Sequence, residues 1–233
     1  MLIKLIEKRL PMKIIKFMLF ILICLNLYGN NLINQLDCDV VKKFPTYTSC
    51  YNYEVNGPLL VTYTLHGDTV NAVNIRNRPA WKIIDELNTP NRDKINNLGY
   101  QVGHLAPDAA FDYDKEVLKS VYVLGYNTVP MYPHFNMYVW SKLERHARNL
   151  AKLHNSVVVT NIVIYNKNNS LVGLTKVSNY IYKILKYDNT TECYLGHNEF
   201  TLMHIPIDIN DMRVDCSTIV FGTTYTINKI DWR

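Results

Sequence analysis

A histidine that follows a glycine, and an asparagine, a glutamate and an arginine set along one later segment, are the residues of this chain best suited to chemistry. His104 lies in Gly99-Tyr100-Gln101-Val102-Gly103-His104-Leu105-Ala106-Pro107. Gly103 permits close backbone packing just before the histidine, and Pro107 ends whatever strand leads out of it. The ordinary pKa of histidine equips it to take a proton from water near neutral pH. Asn136, Trp140, Glu144 and Arg148 are spaced by four and share one broad side of a helix. Each has an ordinary explanation: a structural histidine, a helix-capping asparagine, and an i,i+4 surface ion pair worth about 0.3–0.5 kcal/mol. Taken singly, those explanations suffice.

Their order along the chain changes the reading. Gly-His-Leu-Ala-Pro, then Tyr-Asn-Thr-Val-Pro, then Asn-x-x-x-Trp-x-x-Leu-Glu-x-x-x-Arg follow one another between residues 103 and 148. This string resembles the DNA/RNA non-specific endonucleases of the ββα-metal class, most densely over residues 74–165 and more loosely through Tyr182-Lys183-Ile184. The resemblance implies an α+β chain with a ββα-metal nuclease fold, its central, mainly antiparallel sheet flanked by helices. It implies a general base at His104 and, at Asn136, the sole direct protein ligand to Mg²⁺, with Mn²⁺ as a substitute. Water would fill the other metal sites, as suits an ion that dehydrates reluctantly. Glu144 matches an acid that hydrogen-bonds the metal's waters, Arg148 an arginine near the scissile phosphate, and Asn127 an asparagine that positions groups around the histidine. Arg78, in preference to Arg76, matches a phosphate-binding arginine. The implied reaction is hydrolysis of DNA, and of RNA as well, with 5′-phosphate products.

One departure stands beside the histidine. The usual signature places Asp-Arg before Gly-His, and this chain has Gln101-Val102. Gln101 keeps hydrogen-bonding ability without charge, so either another cation substitutes or activity is lower. A nuclease-fold protein that binds extracellular nucleic acid without cutting it is the competing reading. Phosphate contacts would supply most of the grip. Lys142, Arg145, Arg148 and Lys152 form one basic run, and Arg76, Arg78 and Lys82 another. A solvated helix face explains Lys142, Arg145 and Lys152 equally well. Zinc chemistry is disfavoured, because there is no His-Glu-x-x-His or Cys-x-x-Cys, and His134, His146, His154, His197 and His204 default to ordinary roles. Asp108, Asp112 and Asp114 read as solvated turn residues. No glycine-rich phosphate loop is present.

The elements that must position these groups fit one mixed domain of 233 residues, with 48% hydrophobic content and 17 tyrosines that favour sheet. Lys4, Lys8, Arg9, Lys13 and Lys16 precede an apolar run over 17–27, which reads as a signal peptide over 1–29 with a start at Met1 or Met12. Its removal lowers the formal charge from +5 to +1, leaving 20 basic against 19 acidic residues. Net charge thus argues little for a polyanionic partner. The expected destination is the periplasm or the medium. Of the five cysteines, Cys38, Cys50, Cys193 and Cys216 remain after that removal. Export favours two disulfides, and of the three pairings the adjacent one is preferred because it closes short loops.

Residues 30–57 read as a disulfide-tied extension and 58–233 as a single nuclease domain. Strands are expected at 59–65, 122–125, 157–165, 181–187 and 218–226, with 69–75 returning from the first as a hairpin. Residues 88–97 read as a surface loop. A helix is expected over 136–153, its stripe formed by Val139, Trp140, Leu143, Ala147, Leu150 and Ala151.

Overall fold

β-Branched and aromatic residues, well matched to a pleated surface, fill the segments that build the main sheet. A computed structural model describes residues 32–70, 73–166, 170–200 and 208–218. The strands are β1 (Val40–Lys43), β2 (Tyr47–Asn52), β3 (Gly57–His66), β4 (Gln101–His104), β5 (Thr128–Met131), β6 (Ser156–Ile164), β7 (Leu171–Val172), β8 (Thr175–Lys176), β9 (Tyr180–Tyr187), β10 (Thr190–His197) and β11 (Arg213–Val214). The α-helices are α1 (Arg92–Asn97), α2 (Lys115–Val121) and α3 (Ser141–His154). Seven strands form an antiparallel sheet in the order β1-β2-β3-β6-β9-β10-β11. The expected α+β class and antiparallel sheet are both present.

β6 is buried along nearly all its length, because β3 and β9 flank it while α3 covers one face. The helix buries Leu143, Ala147, Leu150 and Ala151, the stripe expected from spacing. Segment 30–57 contributes β1 and β2, and β2 pairs with β3 in the same sheet. The cysteines pair as expected, Cys38 with Cys50 and Cys193 with Cys216.

β4 and β5 form a separate antiparallel pair, placing His104 opposite Thr128 and Gly103 opposite Val129. Glycine is required at 103, since a Cβ there would collide with the Met131 side chain. The chain turns into β5 at Gly125, whose φ of +86° suits glycine. A π-helical segment, Phe135–Trp140, then leads directly into α3. Two strands and a helix thus form a ββα unit, and π-helical turns of this kind concentrate at functional sites.

Several expectations are corrected. Residues 69, 70 and 73–75 form no strand. Both edges of β3 are already paired, with β2 and β6, so a returning strand has no place beside it. The 88–97 segment contains α1: the Asn91 side chain accepts from the Lys94 N–H, and buried Ile95 packs with Val172 and Val177 against Tyr100 and Val102. In 122–125 there is only a single parallel bridge between Val123 and Lys82, and the true strand follows at β5. β10 was not expected at all. The leader and the 219–226 part of the last expected strand lie outside the described residues.

Candidate active site

His104 ends β4, where the chain is fastened from three directions. Its backbone carbonyl accepts a hydrogen bond from Trp140 Nε1 at 3.0 Å. The next carbonyl, of Leu105, accepts from Asn161 Nδ2 at 2.7 Å, and Leu105 N–H donates to the Asn127 carbonyl at 2.8 Å. The Asn127 side chain, fully buried, accepts from Ala106 N–H at 2.7 Å and donates to the carbonyls of Ala106 and Val121 at 2.9 and 2.7 Å. A short polar amide can close such a pattern of donors and acceptors within the core. Asn127 thus fixes the strand exit immediately after the histidine.

The imidazole lies 4.8 Å from the Trp81 ring and 5.0 Å from the Tyr122 ring, centroid to centroid. Burial lowers its pKa to about 4, with Arg78 pushing the same way and Asp108 opposing. It is therefore neutral near pH 7. Its Nε2 is buried and has no hydrogen-bond partner among the described residues. An orphaned buried nitrogen is costly in a purely structural role and is the expected state of a base awaiting its proton donor.

Asn136 is not a helix cap. Its N–H donates to the Tyr132 carbonyl at 2.9 Å within the helical turn, and its side-chain Nδ2 donates to Gln101 Oε1 at 2.8 Å. That contact leaves Asn136 Oδ1 free of hydrogen bonds among the described residues. Gln101 and Asn136 line a groove of about 890 Å³, together with Trp81, Tyr122, Arg78 and Arg92. Arg76 and Arg145 are exposed and do not line it.

Arg78 does line the groove, and two carboxylates hold it: Nε is 3.1 Å from Asp108 Oδ2 and Nη2 is 3.1 Å from Asp112 Oδ2. The Tyr122 hydroxyl also donates to Asp108, at 2.8 Å. The aspartates are therefore not simply solvated turn residues. Asp112 is buried, and only Asp114 keeps a local role, capping α2 through the N–H groups of Glu116 and Val117.

Glu144 and Arg148 form no direct ion pair, contrary to the surface-pair explanation of their spacing. Arg148 Nη1 is buried without a partner among the described residues. Burial pushes the Glu144 carboxyl up, while Lys183 and Arg148 oppose that rise. Lys183, noted in the sequence only within the loose end of the resemblance, was given no role there. It is fully buried in β9, donates to Asn161 Oδ1 at 2.8 Å and sits 4.0 Å above the Trp140 ring. Burial pushes its ammonium down in pKa and the Glu144 charge counters that. A lysine at an inward position of an apolar strand was the signal that could have found it.

The ββα unit, with a histidine closing its second-last strand and an asparagine opening its helix, places the chain in the ββα-metal nuclease fold class. The chain belongs to the DNA/RNA non-specific endonuclease family, whose model matches residues 29–224. A similar solved structure is that of EndoG with EndoGI, reported as explaining EndoG inhibition. It is 18% identical, with a TM-score of 0.66 over 80% of this chain and 85% of that one, and so shares the fold. No curated protein matches by sequence. Non-specific nuclease action is what this family membership indicates.

Proposed function

We propose that this protein is a Mg²⁺-dependent endonuclease that hydrolyses phosphodiester bonds of DNA, and of RNA, with little sequence preference. The observation that carries the reading is the half-buried, neutral His104, whose Nε2 is buried without a partner among the described residues and whose ring packs on Trp81 and Tyr122, which line the groove with Asn136. Asn136 Oδ1 is an uncommitted neutral oxygen, and Glu144 lies two turns further along the same helical segment. Among the described residues no cluster of three or more His, Cys, Asp or Glu could hold a metal ion. A cation here would keep most of its coordination as water, which suits Mg²⁺ or Mn²⁺. When bound, it would neutralise charge at the phosphate and at the leaving oxygen.

The chain's own residues supply the rest. His104 Nε2 takes a proton from water, whose oxygen bonds to phosphorus while the P–O3′ bond breaks; the departing 3′-oxygen takes a proton from solvent water, leaving 5′-phosphate and 3′-hydroxyl ends. Because water is the nucleophile, the ribose 2′-hydroxyl is not needed and both nucleic acids are substrates. Gln101 holds the Asn136 amide in one orientation. Arg148, whose Nη1 has no partner among the described residues, lies about one helical turn beyond Glu144 and contacts the phosphate. We assign export to the periplasm or medium after removal of residues 1–29, leaving an N-terminal extension at 30–57 and the nuclease domain at 58–233.

A non-cutting binder of extracellular nucleic acid remains the alternative, drawing on Val102, but it has no use for an orphaned imidazole. The test is digestion of plasmid, single-stranded DNA and RNA with Mg²⁺, with EDTA, and with His104→Ala. Cleavage that needs the metal and the histidine supports the reading. Binding without EDTA-sensitive cleavage sinks it in favour of the binder.

A further inference from the structure

Two cations line the groove, Arg78 and Arg92, and no carboxylate residue does so. They differ in what already holds them. Arg78 is ion-paired with Asp108 and Asp112, so that its charge is outweighed locally by two negative ones. Arg92 is exposed and makes no hydrogen bond or ion pair among the described residues. It is close enough for its charge to be felt at Tyr122, which also lines the groove.

The position of Arg92 is fixed by packing rather than by pairing. Ile95 of α1 is buried with Val172 and Val177, against Tyr100 and against Val102 of the strand that carries His104. That contact anchors α1 on β4. Arg92 and Asn96 are four apart, therefore on one face, and both line the groove. Lys94, on another face, points instead toward the β7–β8 turn, where a Cβ on Gly173 would lie 3.4 Å from its Nζ. The same valine that brings no charge to the site is thus part of the apolar seat that brings Arg92 to it.

We infer that Arg92 is a phosphate-binding residue of the groove, gripping the nucleic-acid backbone from α1 in addition to Asp108-bound Arg78. This rests on the nuclease reading above. A guanidinium presents a rigid fork of donors to a phosphate, and an unpaired one need give up no protein partner to do so.

The experiment measures binding of a labelled duplex to protein carrying His104→Ala, across a salt series, with Arg92→Gln, Arg92→Glu and Arg92→Lys added. Steady-state digestion by the same Arg92 variants in the His104 background accompanies it. Loss of one charge-assisted contact corresponds to roughly tenfold weaker binding at low salt. The slope of log affinity against log salt falls by about one. Arg92→Glu is weaker still, Arg92→Lys keeps most of the slope, and KM for DNA rises in the same order. Affinity within twofold and an unchanged slope for Arg92→Gln would overturn the inference, while wild-type cleavage in the same experiment would leave the nuclease reading standing. If the wild type neither binds nor cuts, it is the nuclease reading that fails.

Discussion

The indole N–H of Trp140 reaches across 3.0 Å to the backbone carbonyl of His104, joining the last residue of a π-helical segment to the last residue of a strand. The link crosses from the helical segment that holds Asn136 to the strand that holds His104, and it fixes their relative positions without using the Asn136 amide or the imidazole. Trp140→Phe keeps most of the buried ring area and deletes the donor. An unsatisfied carbonyl in the core costs about 1–3 kcal/mol. Urea denaturation reads that loss, and the kinetic effect falls on kcat more than on KM. Unchanged stability and unchanged kcat would show the link to be idle.

Asn127→Ala removes three side-chain hydrogen bonds from the segment that leaves His104. The buried partners left behind make this the most damaging small substitution at the site, with a loss of several kcal/mol on the scale for unpaired buried groups. Asn127→Asp keeps the acceptor but cannot donate, so it too is destabilised. Equilibrium unfolding midpoints of the three proteins rank wild type above both variants.

Neutral His104 sets a pH dependence with a definite sign. Its pKa is about 4 in the fold, below the ordinary value of 6.5 given for the unfolded chain, so between those values the unfolded chain binds the extra proton. This group therefore contributes stability that is fully present above about pH 6.5 and is lost as pH falls toward 4. The loss amounts to at most about 3 kcal/mol. Stability measured from pH 7 to 4 should fall less steeply in His104→Gln, and equal slopes in the two proteins would contradict the burial argument.

Gln101 Oε1 holds the Asn136 amide so that its other end is free. Gln101→Ala removes that constraint, and orienting partners of metal ligands are worth about 10–100-fold in metal affinity or activity. The Mg²⁺ concentration for half-maximal digestion should rise accordingly in this variant. A titration that overlays the wild-type curve would mean the amide needs no holder.

Replacing Cys193 and Cys216 by alanine opens a loop with a sequence separation of 23. Chain-entropy arguments give a loss of about 3 kcal/mol. Thermal unfolding of the double variant, compared with reduced and oxidised wild type, checks this.

His104, Asn127 and Asn136 could be picked out as candidates because the resemblance rests on short strings whose order survives without any knowledge of the fold. The helix stripe at Leu143, Ala147 and Leu150 was legible for a simpler reason, its period. The α1 helix was hidden because Pro90 and Asn91 read as a turn, when the asparagine was capping the next residues. β10 was hidden by its polar start, Thr190-Thr191-Glu192, although Asp188-Asn189 is the two-residue connection that returns β9 into it. The partners of Arg78 were not legible at all. They lie about thirty residues away, brought near by a path through β4 that no local pattern encodes.

The cysteine bridges have a further meaning when set beside the strand order. β1 and β11 are the two outermost strands of the seven, and each is bordered by a bridge, from Cys38 to Cys50 of β2 and from Cys193 of β10 to Cys216. Outer strands are where a sheet ordinarily peels and where foreign chains can add on. Here both hems are stitched, while the short β4–β5 pair that carries the histidine has no such thread. The bridges thus brace the border of the sheet, and the strand pair that carries His104 is held instead by hydrogen bonds and packing.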